Sequence, residues 1–364
     1  MSRTVYLHIG LAKSGTTYVQ HLLQANRALL GEHRVLFPGP KMSEHFMAAL
    51  DLTEATFLGH RYAESEGAWA RLAAATNEYA GTTVISHEMF APASRKAIER
   101  AMTSLETDDV RVVITARDLA RQVPAVWQER IKNGNQERYT DYLDSILRSE
   151  KGRRHQGGFW RQQHLIGISR RWAAVVGPER VTVATLPQSG SDSSELWRRF
   201  VDATDLPDLD YSLDAGRRNQ SLGIVESELL RRLNAHLPEL AWPQHVRRVK
   251  RRLAEGTLAK ASSSSRLVVP LSYQQDVAAA ADATVSHLQA LGCRVVGSLE
   301  DLRPTFPAAD PPTPDTVHDT ELLDATLAQL AEYVSRPPAP RPNAEPAPAP
   351  RNLFRALKAR LPGR

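Results

Sequence analysis

The segment His8-Ile9-Gly10-Leu11-Ala12-Lys13-Ser14-Gly15-Thr16-Thr17 gathers in one short stretch the groups that hold an anion. A strand feeding a glycine-containing turn and then a helix aims backbone N–H groups and the positive helix end at one point. Lys13 adds a full charge there, and Thr16 and Thr17 add hydroxyl donors. The order of these residues narrows the ligand. A nucleoside-triphosphatase loop, G-x-x-x-x-G-K-[ST], places its lysine directly after the second glycine and a magnesium-binding hydroxyl next. Here Lys13 comes two residues before Gly15, and Thr16 stands where that lysine belongs. Gly10 and Gly15 also miss the G-x-G-x-x-G dinucleotide spacing, and no acidic residue sits suitably at the end of a second strand. The twelve histidines form no spaced His/Cys/Asp group of the zinc-binding kind, so no metal is expected.

The loop needs a strand before it and a helix after it, and the pattern supplies both. Residues 4–9 (TVYLHI) are a β-branched and aromatic run, and Tyr18, Val19, Leu22, Leu23, Asn26, Leu29 and Leu30 then recur at helical spacing. Similar apolar runs at 82–86, 110–115 and 181–185 each precede a helical pattern. This alternation predicts an α/β fold, a parallel β-sheet flanked by helices on both faces. Leu119, Val123, Val126 and Ile131 mark one face of a helix whose N-cap is Asp118. Further helices are expected over 161–176, 193–203, 224–254 and 274–291, the last two packing over the loop end of the sheet.

Prolines cluster over 304–314, a helical stretch spans 320–334, and 337–350 is almost wholly proline and alanine. The expected organisation is a domain over 1–302, a proline-rich segment with a helix over 303–336, and a basic tail over 337–364 that is disordered when alone. Within the tail, Leu353, Phe354, Leu357 and Leu361 share a helical face opposite basic residues, a pattern suited to weak contact with a membrane surface or a protein. The formal charge is +5, and the six cations and one acid of 337–364 account for all of it. The body is therefore close to neutral, and no nucleic-acid partner is expected. Residues 1–9 read as a short basic start entering a strand rather than a signal peptide, and no apolar run is long enough to span a bilayer, so a cytoplasmic protein is expected. Cys293, the single cysteine, excludes an intrachain disulfide and reads as a small buried hydrophobe.

The loop resembles the 5′-phosphosulfate loop of PAPS-dependent sulfotransferases, bacterial carbohydrate-type members among them, usually written P-K-[ST]-G-T-T after a first strand. Lys13, Ser14, Gly15, Thr16 and Thr17 match that pattern, and Ala12 replaces its proline. The resemblance extends over about residues 1 to 300 and implies the P-loop nucleoside-triphosphate-hydrolase-like architecture of that family. It also implies a 3′-phosphate site, a strand ending in arginine with a serine eight residues on. Arg117 fits the first part, and the serine position is Ala125, so one hydroxyl contact is absent. Arg217, Arg218, Asn219 and Ser221 resemble an R-x-N-x-S-L stretch of bacterial members, which adds Arg217 and Asn219 to the donor-binding set. At Ser86-His87-Glu88 the family places a catalytic glutamate, which makes Glu88 the general base and His87 its alternative.

The implied reaction moves a sulfuryl group from PAPS to an acceptor hydroxyl, less often an amine, of a carbohydrate, lipid or other small molecule. Lys13 then neutralises charge on the leaving oxygen, with help from Thr16, Thr17 and the helix end. His155, Trp160 and His164 lie in a glycine-interrupted stretch suited to a mobile lid, where Trp160 either stacks on an acceptor or packs between helices. Two other readings stay open: a P-loop kinase of a small metabolite, and a non-catalytic nucleotide-binding scaffold with a tethering tail.

Overall fold

The protein is described by a computed structural model covering residues 3–188, 192, 194–214, 221–262 and 264–335. Strands β1 (Val5–His8), β2 (Val35–Leu36), β3 (Thr82–Ser86), β4 (Val110–Ala116), β5 (Val181–Thr185) and β6 (Arg294–Val296) form one sheet in the order β2-β3-β1-β4-β5-β6. Every neighbouring pair is parallel. The four long strands are those the apolar runs predict. Strands β2 and β6 are too short to show a periodicity of their own, and they sit at the two edges.

The main helices are α1 (Thr16–Ala25), α2 (Met42–Thr53), α3 (Leu119–Lys132), α4 (Gly158–Gln163), α5 (Leu165–Val176), α6 (Glu195–Ala203), α7 (Ile224–His236), α8 (Gln274–Leu291) and α9 (Asp319–Ser335). On one face of the sheet, Val19, Leu22 and Leu23 of α1 and Trp197 and Phe200 of α6 pack on Tyr6, Val84 and Val113. On the other face, Ile168 and Trp172 of α5 and Val285 and Leu288 of α8 pack on Leu7, Ile85, Val112 and Val183. Each such side chain contributes about 1.5–3 kcal/mol when fully buried. Cys293 is half-buried against this second core, and burial raises its thiol pKa. A third cluster joins Val123, Trp127 and Ile131 of α3 to Tyr139, Leu143, Leu230 and Leu258.

Two expected elements are redrawn. The stretch 161–176 is two helices, because His164 leaves helical geometry (ψ 86°) between α4 and α5. The stretch 224–254 is interrupted after α7, where Leu237 is extended (ψ 139°) ahead of Pro238. A residue before proline is pushed out of the α region, and helix resumes only at Trp242. From Val246 to Leu258 the winding is π-type, with bonds to the fifth residue on, a rare form often found at functional sites. Asp118 caps α3 as expected, accepting from the Arg121 N–H at 3.0 Å.

Residues after Leu302 pack onto the rest of the chain. The Asp315 carboxylate takes the Thr140 N–H and hydroxyl, both at 2.7 Å, and Val317 and Leu322 enter the third cluster. No helix among the described residues is long and apolar enough to cross a membrane. The tail over 337–364 lies outside the described residues.

Two histidines are built into the base of the sheet. His8 ends β1 with Nδ1 2.7 Å from Ser86 Oγ and Nε2 3.1 Å from Thr115 Oγ1. His45 on α2 donates from Nε2 to Pro38 O at 2.8 Å and accepts the Ser86 N–H at Nδ1. Burial pushes both imidazoles down to about 3, so both stay neutral in the fold. The unfolded chain takes up protons near pH 6.5 while the folded one does not, so stability present above pH 6.5 is lost as pH falls toward 3. Each buried histidine contributes a slope of about 1.4 kcal/mol per pH unit. The melting temperature is therefore expected to fall steadily from pH 6.5 to pH 5, and a flat profile over that range would remove the claim.

Candidate functional site

The chain crosses from β1 outward to β2, returns to β3, and then passes over β1 to β4, so the connections reverse direction around the middle of the sheet. Ligands of open α/β sheets bind at the carboxyl ends of the strands at such a reversal. The loop after β1, Glu88 after β3 and Arg117 after β4 all stand there. His8 pairs in register with Ser86 on one side and Val113 on the other. Gly10 and Glu88 each lie two residues beyond the His8–Ser86 pair, on strands spaced about 4.8 Å apart.

The loop is wound by left-handed residues: Gly10 (φ 38°), Lys13 (φ 67°) and Gly15 (φ 82°). Such turns form a concave run of backbone N–H groups. Glycine suits position 15, because its φ of 82° strains any residue with a Cβ, and a Cβ there would displace the Leu196 side chain. Gly15 is also the N-cap of α1, and the first turn has no side-chain cap and no acid. The positive end of the helix dipole faces the loop there. Thr17 is exposed at this point, while Thr16 is buried with its hydroxyl 3.4 Å from Leu11 O.

The Ser14 hydroxyl is engaged inside the protein. Its hydroxyl donates to Leu11 O (2.6 Å), accepts from the Leu11 N–H (3.0 Å) and lies 2.9 Å from Thr115 Oγ1. Thr115 meets His8, and His8 meets Ser86. Ser14 thus fastens the loop to three strands. Gln122 adds a fourth anchor by donating to Ala12 O at 3.0 Å.

Lys13 lies 2.6 Å from Glu129 Oε2, and Lys250 takes Oε1 of the same carboxylate. Burial alone would raise the Glu129 pKa, but the two lysines outweigh it and hold the carboxyl at about 2. Nearly buried Lys132 stands close by, its pKa lowered by burial and by Lys13. Neither Glu129 nor Lys250 is marked by any local spacing in the sequence.

Arg117 makes no ion pair with Asp118, whose carboxylate is taken by Arg121. Its one hydrogen bond, to Lys13 O, is 3.5 Å long, and its Nε is buried with no partner among the described residues. Burial and then the neighbouring Arg121 push its pKa down to about 10, with Arg266 acting in the same sense. The charge of Asp118 opposes that shift without forming an ion pair, and a buried cation with no ion pair among the described residues suits an anionic ligand.

Glu88 lies in a short helical turn (Glu88–Phe90), and its Oε2 is buried without a hydrogen-bond partner among the described residues. His87 Nδ1 accepts the Met89 N–H at 3.1 Å, and burial lowers the His87 pKa. The neutral ring therefore carries its proton on Nε2 and has no free basic nitrogen. Glu88 Oε2 lies 3.7 Å from His87 Nδ1, beyond hydrogen-bond length, so of the two adjacent candidates Glu88 is the one whose basic atom makes no hydrogen bond among the described residues.

No family model matches the chain. No curated protein matches it. Among solved structures it is similar to the crystal structure of a sulfotransferase from Alicyclobacillus acidocaldarius, at 17% identity and a TM-score of 0.40, over 71% of this chain and 99% of that one. At that degree of likeness the chemistry of the site rests on its own residues.

Arg217 and Asn219 lie outside the described residues. His155, Trp160 and His164 come together, with ring centroids 4.2 Å apart for His155 and Trp160 and 4.6 Å for the two histidines. They wall a cavity that Arg117, Leu11 and Gln122 also line. Trp160 is 4% exposed and donates from Nε1 to Ile146 O at 2.7 Å, so of the two sequence readings its role is packing.

Proposed function

We propose that the chain is a PAPS-dependent sulfotransferase. The observation that carries this reading is Arg117, a cation with no ion pair among the described residues, standing beside a helix start without a side-chain cap whose loop carries a second cation. Two anionic groups on one ligand suit that pair. Lys13, Gly15, Thr16 and Thr17 would hold the 5′-phosphosulfate, within a loop that Ser14 fastens, and Arg117 would hold the 3′-phosphate. Arg217 and Asn219 remain part of the proposed donor set from the sequence motif. Bound PAPS supplies the sulfuryl group; the protein's own residues manage a proton and a developing charge.

Glu88 takes the proton of the acceptor hydroxyl as its oxygen bonds to sulfur. The bond from sulfur to the 5′-phosphate oxygen breaks, and Lys13 turns from Glu129 to the oxygen that gains charge. The acceptor is a small molecule or carbohydrate. The kinase reading is opposed by Thr16 in the place of the lysine. The scaffold reading draws on Ala125, which offers the 3′-phosphate no hydroxyl, and is opposed by Glu88 Oε2, which makes no hydrogen bond among the described residues.

Calorimetric titration with adenosine 3′,5′-bisphosphate and with ATP, both without magnesium, tests the donor assignment. The bisphosphate is expected to bind tighter, and Arg117→Ala to weaken it by about 10- to 100-fold, the worth of hydrogen bonds to a charged group. Tighter binding of ATP, or none of the bisphosphate, would overturn the assignment.

A further inference from the structure

The π-type helix Val246–Leu258 opens with Arg247, Arg248, Lys250, Arg251 and Arg252 and carries no acid among them. Val249, Ala254 and Leu258 are buried against the protein, at intervals of five and four residues that suit the wide winding. Arg247 with Arg251, and Arg248 with Arg252, are each four apart and exposed, so the same winding lines them up on the outer face. None of the four pairs with an acid among the described residues. The helix's own acid, Glu255, lies beyond them near Lys132. Lys250 alone turns inward, to Glu129 beside Lys13.

A continuous series of rings joins this helix to the catalytic edge. His245 stacks on Trp242 (5.7 Å between centroids), Trp242 meets Phe57 (6.1 Å), Phe57 meets Phe46 (5.3 Å) and Phe46 meets His87 (5.2 Å), the neighbour of Glu88. Phe46, Phe57 and Trp242 are half-buried, so each leaves ring surface open. The wall is assembled from α2, the loop after it and the start of the basic helix.

We infer that this surface binds the acceptor, and that the acceptor is an acidic oligosaccharide, one carrying carboxylates or sulfate esters. The role as acceptor rests on the proposed sulfuryl transfer. Sugar C–H faces pack on aromatic rings, guanidinium groups match carboxylate and sulfate oxygens in pairs, and a saccharide brings the hydroxyl that Glu88 needs. A membrane-binding helix would show apolar side chains beside its cations, whereas here the apolar ones face the protein and the outer face is arginine alone. A nucleic-acid surface would be basic over a broad area, and the body outside the tail has no net charge.

The full chain titrated with hexagalacturonate and with a heparin hexasaccharide is expected to bind at least one of them, in a salt-dependent manner and about tenfold or more tighter than neutral cellohexaose. The variant Arg247→Ser/Arg248→Ser/Arg251→Ser/Arg252→Ser is expected to lose about tenfold or more of that affinity while its affinity for adenosine 3′,5′-bisphosphate stays unchanged. Arg247→Ser/Arg251→Ser, with half the charge change, serves should the fourfold variant not fold. Unchanged saccharide affinity in the variant, or tighter binding to phosphatidylglycerol vesicles or to an oligothymidylate, overturns the inference. Bisphosphate binding with neither acidic saccharide bound overturns it alone. Saccharide binding without bisphosphate binding overturns the donor reading and with it the acceptor role.

Discussion

Glu88→Gln is expected to lower kcat by about 10²- to 10⁴-fold, the usual worth of a positioned general base. The affinity for adenosine 3′,5′-bisphosphate should stay as it is, because glutamine keeps the shape of the side chain and Glu88 touches no part of the proposed donor contacts. The size of the effect follows from the state of the two neighbours. His87 cannot take over, since its Nδ1 is occupied by the Met89 N–H and burial keeps the ring neutral with the proton on Nε2. Glu88 Oε2 is by contrast buried with no hydrogen bond among the described residues, His87 Nδ1 lying 3.7 Å away, and a buried carboxylate oxygen left without a hydrogen bond is costly unless it is used. Single-turnover measurement with labelled PAPS separates the chemical step from release. A variant with wild-type turnover would move the base away from Glu88.

Lys13→Ala is expected to lower kcat by about 10²- to 10³-fold, the range seen when one group that stabilises developing charge is removed. The loss should fall mainly on kcat and less on the affinity for the bisphosphate, which lacks the group transferred and keeps the helix end and Arg117. An equal loss of binding and turnover would mean that Lys13 serves only as a static anchor. The backbone supports the stronger role: Lys13 is a non-glycine residue at φ 67°, a conformation that costs free energy and persists where the surroundings fix it.

Much of this site was legible because its parts are local. A β-branched run, two glycines and a helical repeat are enough to place the proposed anion loop at the end of β1, and Asp118 marks the start of α3 by the chemistry of its own side chain. What was not legible depends on residues far apart in the chain. The inward turn of Ser14 is set by Thr115, 101 residues away, and no spacing rule predicts it. Glu129 and Lys250 meet across 121 residues. The ring series from His87 to His245 is built from three separate segments, each of which reads in isolation as ordinary amphipathic sequence. The interruption at His164 falls inside a stretch whose apolar period continues on both sides, so periodicity ran through it. The π-type winding arises from packing: Val249, Ala254 and Leu258 reach the core together only if the helix widens.

Lys250 has a consequence for how Lys13, the proposed catalytic lysine, comes free. Removing one partner of an ion pair strands the other charge, at a cost that rises with burial, and the Lys13 and Glu129 side chains are partly buried. Glu129 has two cations, so when Lys13 rotates away the carboxylate keeps one. Lys13 can therefore alternate between a resting and a working orientation at little electrostatic expense, and in the resting one its charge is neutralised. Such a loop presents a muted cation to stray inorganic anions, and its full charge appears only when a ligand draws Lys13 across.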